Sequence, residues 1–158
     1  MSIRTFERDD FENLVIFFED ISREPLRFGL RYDRTRLEKL TTNLERDHIL
    51  LAFDGTYLSG VAAVFGSSLP EDRGVAHFIV YIRQGYQNQG LGTYLTRLIL
   101  QEAKRKGYHK VLLEVVAENI AGIKAYEKAG FLVEGRTKDS HFGPDGSYHD
   151  IVIMGIIL

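Results

Sequence analysis

The sequence contains no cysteine and no tryptophan, and only three prolines. Without thiols there is no disulfide framework, no thiolate metal site and no cysteine nucleophile, and the redox compartment stays open. The charges nearly cancel, since 20 Lys and Arg against 22 Asp and Glu leave a formal charge of −2. That balance argues against a protein that holds nucleic acid through a basic face. No apolar run reaches the roughly 18 residues of a membrane span, and residues 1–10 carry no signal-peptide core. At 158 residues the chain is expected to be one soluble, cytoplasmic domain, with neither nucleic acid nor membrane among its partners.

Glycine, by contrast, is plentiful, and several of the 15 glycines crowd into residues 85–92. Around them the hydropathy pattern predicts the order β-α-α-β-β-β-α-β-α-β-β. An extended start over 2–6 precedes Asp9-x-x-Glu12, which reads as a capping box with Asp9 as N-cap. Phe11, Leu14, Val15 and Phe18 then share one helical face. Residues 22–32 read as irregular and rich in Arg and Phe, and Asp33 can cap a second helix carrying Leu37, Leu40 and Leu44. Strands follow over 48–54 and 57–66, then a loop over 69–74. Residues 75–82 are nearly all apolar, as in a central strand covered on both faces.

After the glycine turn, Leu91, Tyr94, Leu95, Leu98 and Ile99 mark an amphipathic helix that closes on Lys104, Arg105, Lys106 and Gly107. A strand over 110–117, a helix over 119–129 stopped by Gly130, and strands over 131–142 and 147–158 complete the chain. Gly143-Pro144-Asp145-Gly146 supplies the last turn. The fold class is α/β (α+β), a mixed sheet with a strand–turn–helix unit at its centre.

That central turn, Gln87-Asn88-Gln89-Gly90-Leu91-Gly92-Thr93, joins an apolar strand to a helix. Glycines there permit positive φ and close backbone approach, and the free amides of a helix N-terminus attract an anion such as pyrophosphate. The other reading is a glycine turn needed only for tight strand–helix packing. Known phosphate motifs do not fit: Leu95 breaks G-x-G-x-x-G, and there is no G-K-[ST].

Gln87-x-x-Gly90-x-Gly92, following Val80-x-Ile82, resembles the acetyl-CoA signature of the GNAT superfamily of N-acetyltransferases. Glu114-Val115-x-x-Glu118-Asn119 and Ala125-Tyr126-Glu127-Lys128-x-Gly130-Phe131 resemble its second block. Glu134-Gly135-Arg136 and Asp145-Gly146-x-Tyr148-x-Asp150-x-x-x-Met154 resemble the ends of its spermidine-type and ribosomal-protein-type members. The likeness runs from about residue 75 to 158, with an acetyl-CoA core over 75–131. It implies a mostly antiparallel seven-stranded sheet with helices on both faces, acetyl-CoA as co-substrate and no metal.

The resemblance also assigns roles. Val80, Tyr81 and Ile82 would pair through their backbone with pantetheine, and a backbone N–H where that strand splays from its neighbour would hold the oxyanion. The amides of Gln87, Asn88, Gln89, Gly90, Leu91, Gly92 and Thr93 would take the pyrophosphate. Asn119, Tyr126 and Lys128 would complete the cofactor contacts. Tyr126 would be the general acid for the leaving thiolate, although Ile123, Tyr126 and Ala129 share the spacing of a core face. Asn119 would cap its helix and reach the pantetheine or a water.

Many members carry a base glutamate near position 76 or 78, where this chain has Ala76, His77 and Phe78. His77 or Glu114 is therefore the candidate base, with His149 and Asp150 as further options. His77 also reads as a packed, hydrogen-bonded histidine. Lacking cysteine, the chain must transfer acetyl directly. The resemblance points to a small-molecule primary amine such as a polyamine, with a protein N-terminal α-amine or a non-catalytic acyl-CoA-binding module as alternatives. Glu19, Asp20 and Glu24 would attract a cation, while Arg23, Arg27, Arg31 and Arg34 would attract an acid. Members are often homodimers, and residues 151–158 read either as a covered central strand or as an interface edge.

Overall fold

A computed structural model of the chain describes residues 1–24 and 32–158. Its strands are β1 (Ser2–Thr5), β2 (His48–Asp54), β3 (Tyr57–Gly66), β4 (Val75–Ile82), β5 (Lys110–Val116), β6 (Leu132–Phe142) and β7 (Tyr148–Ile157). Its helices are α1 (Phe11–Ser22), α2 (Arg34–Leu40), α3 (Leu91–Arg105) and α4 (Ile120–Lys128). The seven strands form one sheet in the order β1-β2-β3-β4-β5-β7-β6. Every neighbouring pair is antiparallel except β4–β5, which is parallel. The expected element order and class hold. Arg27 and Arg31, weighed above as acid-attracting residues, lie outside the described residues.

Alternation along the strands feeds two cores. On one face Ala76, Phe78, Val111, Leu113 and Met154 pack with Leu95 and Ile99 of α3, and with Phe131 just after α4. On the other, Leu51, Val61 and Ala63 pack under Phe17, Phe18 and Ile21 of α1 and Leu37 of α2. Helices therefore lie on both faces. Asp33 caps α2 as the sequence suggests, its carboxylate accepting from Arg36 N–H at 2.8 Å.

Three expectations are corrected. Asp9 is not the cap of α1, which begins after a 3-10 turn over Arg8–Asp10. The neighbouring Asp10 is the buried acid; it accepts two bonds from the Arg4 guanidinium (2.7 and 2.6 Å) and one from Glu7 N–H (2.8 Å). Those bonds fasten β1 to the helix entry and hold the Asp10 carboxyl below its ordinary range. Secondly, Leu44 lies beyond α2, whose last turn closes where the Thr41 hydroxyl donates to Leu37 O at 2.9 Å.

Thirdly, β4 is not covered on both faces. Ala76 and Phe78 are buried, but His77 is exposed. The α1–α2 core reaches β4 only at Ile79 and Tyr81, and none of the described residues of β5, β6 or β7 belongs to it. Residues 151–158, left open between two readings, form an interior strand, because β7 lies between β5 and β6. The edge is β6, where two register shifts and a run of charged residues discourage further pairing.

Phe131 is fully buried where the sheet meets α4, with its ring 5.8 Å from Phe78 and 6.0 Å from Tyr126. Phe131→Ala is expected to cost about 3–5 kcal/mol of stability, read as a lower urea midpoint at unchanged slope.

Candidate active site

The β4–β5 ladder has three rungs, Val75–Lys110, Ala76–Val111 and His77–Leu112, and then stops. Both strands run on, to Ile82 and Val116. On its other side β4 stays paired with β3 through Ile82. The consequence is a gap in the sheet, along which Phe78, Ile79 and Val80 have no ladder partner from β5. This is the splay that residue patterns alone cannot display.

The glycine turn stands at the far end of β4. Gly90 is the N-cap of α3 at φ 83°, a left-handed conformation that favours glycine. The first α3 bond runs from Tyr94 N–H to Gly90 O (3.0 Å), which leaves the N–H groups of Leu91, Gly92 and Thr93 outside the helix ladder. Gly92 differs from Gly90. Its φ is not positive, and a Cβ built there would meet only Ile82 Cγ1, at 3.5 Å. Among the described residues, a Cβ at 92 would find ordinary contact, so tight strand–helix packing does not by itself demand glycine there.

The turn is braced from several sides. Gln87 Nε2 donates to Ile82 O and Gln89 Nε2 donates to Gly85 O, both at 2.9 Å, and Asn88 holds φ 59°. The Gln87 and Gln89 side chains thus serve the loop, which leaves their backbone N–H groups as what those two residues could offer an anion. Tyr86 hydroxyl donates to Asp54 Oδ2 (2.8 Å), and Gln84 N–H donates to Glu24 Oε1 (3.0 Å).

The strongest anchor is Arg83, which sequence reading missed. It is buried, donating from Nε to Leu58 O (2.6 Å) and from Nη1 to Asp20 Oδ2 (2.7 Å), with its guanidinium over the rings of Phe17 and Tyr57. An arginine directly after an apolar strand was the available signal. Its carboxylate lies 63 residues away in the chain, so no spacing rule finds it.

The opposite wall of the gap is α4. Asn119 caps it, its side chain accepting from Gly122 N–H at 3.0 Å. Tyr126 is half-buried, its ring edge-on to Phe78 of β4 at 6.0 Å between centroids. The core reading of the Tyr126 ring and a position beside the gap are therefore both true. Lys128 is exposed in the last turn of α4, and Thr93 is exposed in the first turn of α3.

His77 and Glu114 share the open face. Strand alternation carries His77 and Ile79 of β4, and Leu112 and Glu114 of β5, to the side away from α3. Both are exposed, so the reading of His77 as a packed histidine fails. His77 stands on the last paired rung, while Glu114 stands two residues past it, beside the widening gap. The other base options are engaged elsewhere. Asp150 accepts from Arg136 Nε (2.7 Å) and Asp139 N–H (3.0 Å), and both ring nitrogens of His149 face carboxylates. Among the described residues no group of three or more His, Asp or Glu is placed to hold a metal, and no helix is long and apolar enough to cross a membrane.

Comparison with known proteins adds to this geometry. A family model described as acetyltransferase (GNAT) family matches residues 10–131. Mycothiol acetyltransferase of Corynebacterium efficiens is 34% identical over 107 residues, which are 66% of this chain and 35% of that protein. [Ribosomal protein bS18]-alanine N-acetyltransferase of Escherichia coli K12 is 32% identical over 79 residues, 50% of this chain and 53% of that protein. The matches thus span about a third to a half of the length of these curated relatives. A Salmonella typhimurium structure, solved with its cofactor acetyl-CoA, superposes with a TM-score of 0.85 at 22% identity, covering 99% of this chain and 93% of that one. At that identity the likeness is one of fold.

Proposed function

The chain belongs to the acetyltransferase (GNAT) family, and from that premise we propose that it moves an acetyl group from acetyl-CoA directly to a primary amine of a small molecule such as a polyamine. The observation that carries this reading is the β4–β5 gap, with α3 amides outside the helix ladder at one end and Tyr126 on its far wall. Acetyl-CoA supplies the activated thioester. Val80, Tyr81 and Ile82 border the gap where the pantetheine arm would lie. The amides from Gln87 to Thr93 would hold the pyrophosphate, with the helix dipole adding favourable potential. Asn119 and Lys128 flank the same wall.

Chemistry in the gap divides among few groups. A β4 amide near Val80 stabilises negative charge on the carbonyl oxygen as the amine nitrogen forms its bond to carbon. Glu114 takes the proton the amine must lose, through water, because it stands past the last rung where the strands part. Tyr126 gives its hydroxyl proton to the sulfur as the carbon–sulfur bond breaks. No acyl-enzyme forms, since the chain has no cysteine. Glu114 takes part in none of the ion pairs among the described residues, so its charge is available to a cationic amine.

A panel of polyamines, amino acids, aminoglycosides and N-terminal peptides, read by free-thiol release, tests the reading. Turnover with small amines is the expected result. Turnover with peptides alone would favour a protein α-amine, a second reading that the 32% match to the bS18-alanine enzyme supports. Bound coenzyme A without any turnover would leave a non-catalytic acyl-CoA module, and bound ATP or NAD would overturn both. Within the same assay, Glu114→Gln is expected to lower kcat/KM about a hundredfold. His77→Ala should leave kcat/KM near the wild-type value; a comparable loss would move the base to His77.

A further inference from the structure

A single imidazole ties the β6–β7 hairpin to the start of α4. His149 of β7 has Nδ1 3.2 Å from Glu118 Oε1 and Nε2 3.0 Å from Asp145 Oδ1. Glu118 ends the turn out of β5, one residue before the cap Asn119. Asp145 belongs to the turn between β6 and β7. A neutral imidazole offers one N–H and one lone pair, so only the imidazolium can donate to both carboxylates.

The two carboxylates are not equivalent. Asp145 also accepts from Ser147 N–H (3.1 Å) and Ser147 hydroxyl (2.8 Å), and both its oxygens stand within 3.1 Å of Nε2. Among the described residues, the Glu118 carboxylate accepts, besides the imidazole, from its own backbone N–H. When the ring loses a proton, the remaining one is best kept on Nε2, and the bond that breaks is the one to Glu118. The hairpin turn keeps its internal bonds; its connection to α4 goes.

Few other charges face this ring. His141 is its partner across β6. Asp150, next along β7, is held by Arg136 and the Asp139 N–H, and adds negative charge near Glu118.

We propose that His149 is a positioning residue for acetyl transfer: as the imidazolium it fastens the β6–β7 hairpin to the helix carrying Asn119 and Tyr126, and as the neutral ring it releases Glu118. This rests on the acetyl-transfer reading of the gap. Hydrogen bonds from His149 to the accepting Asp145 and Glu118 carboxylates raise its proton affinity above the ordinary value and hold both acids below theirs. The sign follows. The connection is complete below about pH 6.5, the ordinary histidine value, and is lost as pH rises through the raised one.

The test combines nuclear magnetic resonance with kinetics on the wild type, Glu118→Gln and His149→Phe. In the wild type the His149 ring should titrate above about 6.5, and the Asn119 and Gly122 amide shifts should follow the same midpoint. In Glu118→Gln a carboxamide N–H can donate to the neutral Nδ1, so the midpoint should fall and those amides should stop following it. The amine KM of the wild type should rise about twofold to fivefold through the transition, the factor an exposed ion pair controls. It should stay flat in Glu118→Gln and high at every pH in His149→Phe. An unchanged His149 midpoint in Glu118→Gln, or the same KM course in all three proteins, would overturn the proposal. Absence of turnover with every amine, alongside the expected titrations, would overturn the acetyl-transfer reading and the positioning role together, while leaving the proton-dependent connection standing.

Discussion

Tyr126→Phe is expected to lower kcat for acetyl transfer by about a hundredfold or more, the usual contribution of a positioned general acid. The substitution separates chemistry from packing. The Tyr126 ring stands edge-on to Phe78 and Phe131, each at 6.0 Å between centroids. A phenylalanine keeps both ring contacts and removes only the hydroxyl. The KM for acetyl-CoA should stay near its wild-type value, because the lost interaction forms only as the sulfur departs. An acyl donor with a more acidic thiol leaving group should recover part of the loss, since such a thiolate needs less help from a proton. Full turnover at every pH would remove Tyr126 from the acid role and return it to the core alone.

The second large effect contrasts two glycines of one turn. Gly92→Ala is expected to raise the KM for acetyl-CoA by about tenfold, equivalent to about 1.4 kcal/mol, with the melting temperature unchanged or higher. The gain in stability would come from replacing glycine near a helix start, worth up to about 1 kcal/mol. It is allowed because a Cβ at 92 meets only Ile82 Cγ1 at ordinary contact distance. Gly90→Ala should do the opposite to the fold. At φ 83° an L-residue costs about 1–2 kcal/mol, so the melting temperature drops even though a Cβ there touches nothing. If Gly92→Ala destabilised the protein and left the acetyl-CoA KM alone, glycine at 92 would be a packing requirement and the phosphate reading of the turn would fall.

Strand boundaries were legible in the sequence where local chemistry decides them. The apolar runs at 48–54, 57–66 and 75–82 appear as β2, β3 and β4. Asp33 and Asn119 announced two helix starts, and both side chains cap as their types suggest. Asp9 misled because the adjacent Asp10 has a better use for a carboxylate, a buried pairing with Arg4. What stayed hidden depends on long-range placement. The gap beyond His77 follows from where a ladder stops, a property of two strands 35 residues apart rather than of either one. Arg83 looked like any charged residue at a strand end until Asp20 and two aromatic rings closed on it. For His149, Asp145 was visible at a spacing of four, but Glu118 arrives from another element.

The three rungs between β4 and β5 also bear on how the molecule comes apart. On one side of them lie β1 to β4, joined by successive antiparallel pairings; on the other lie β5, β7 and β6, joined the same way. Each half holds its own backbone ladder, and one core spans the seam, joining Ala62, Val64 and Phe78 on one side to Val111, Leu113 and Met154 on the other through Leu95 and Ile99 of α3. Such an arrangement divides the sheet into two cooperative units, or foldons, with the seam as the weakest cross-section of the backbone network. Partial separation along it costs less than global unfolding, because it breaks few hydrogen bonds and leaves both halves internally paired. The opening into which a thioester would slide is therefore also the place where the native state most readily breathes.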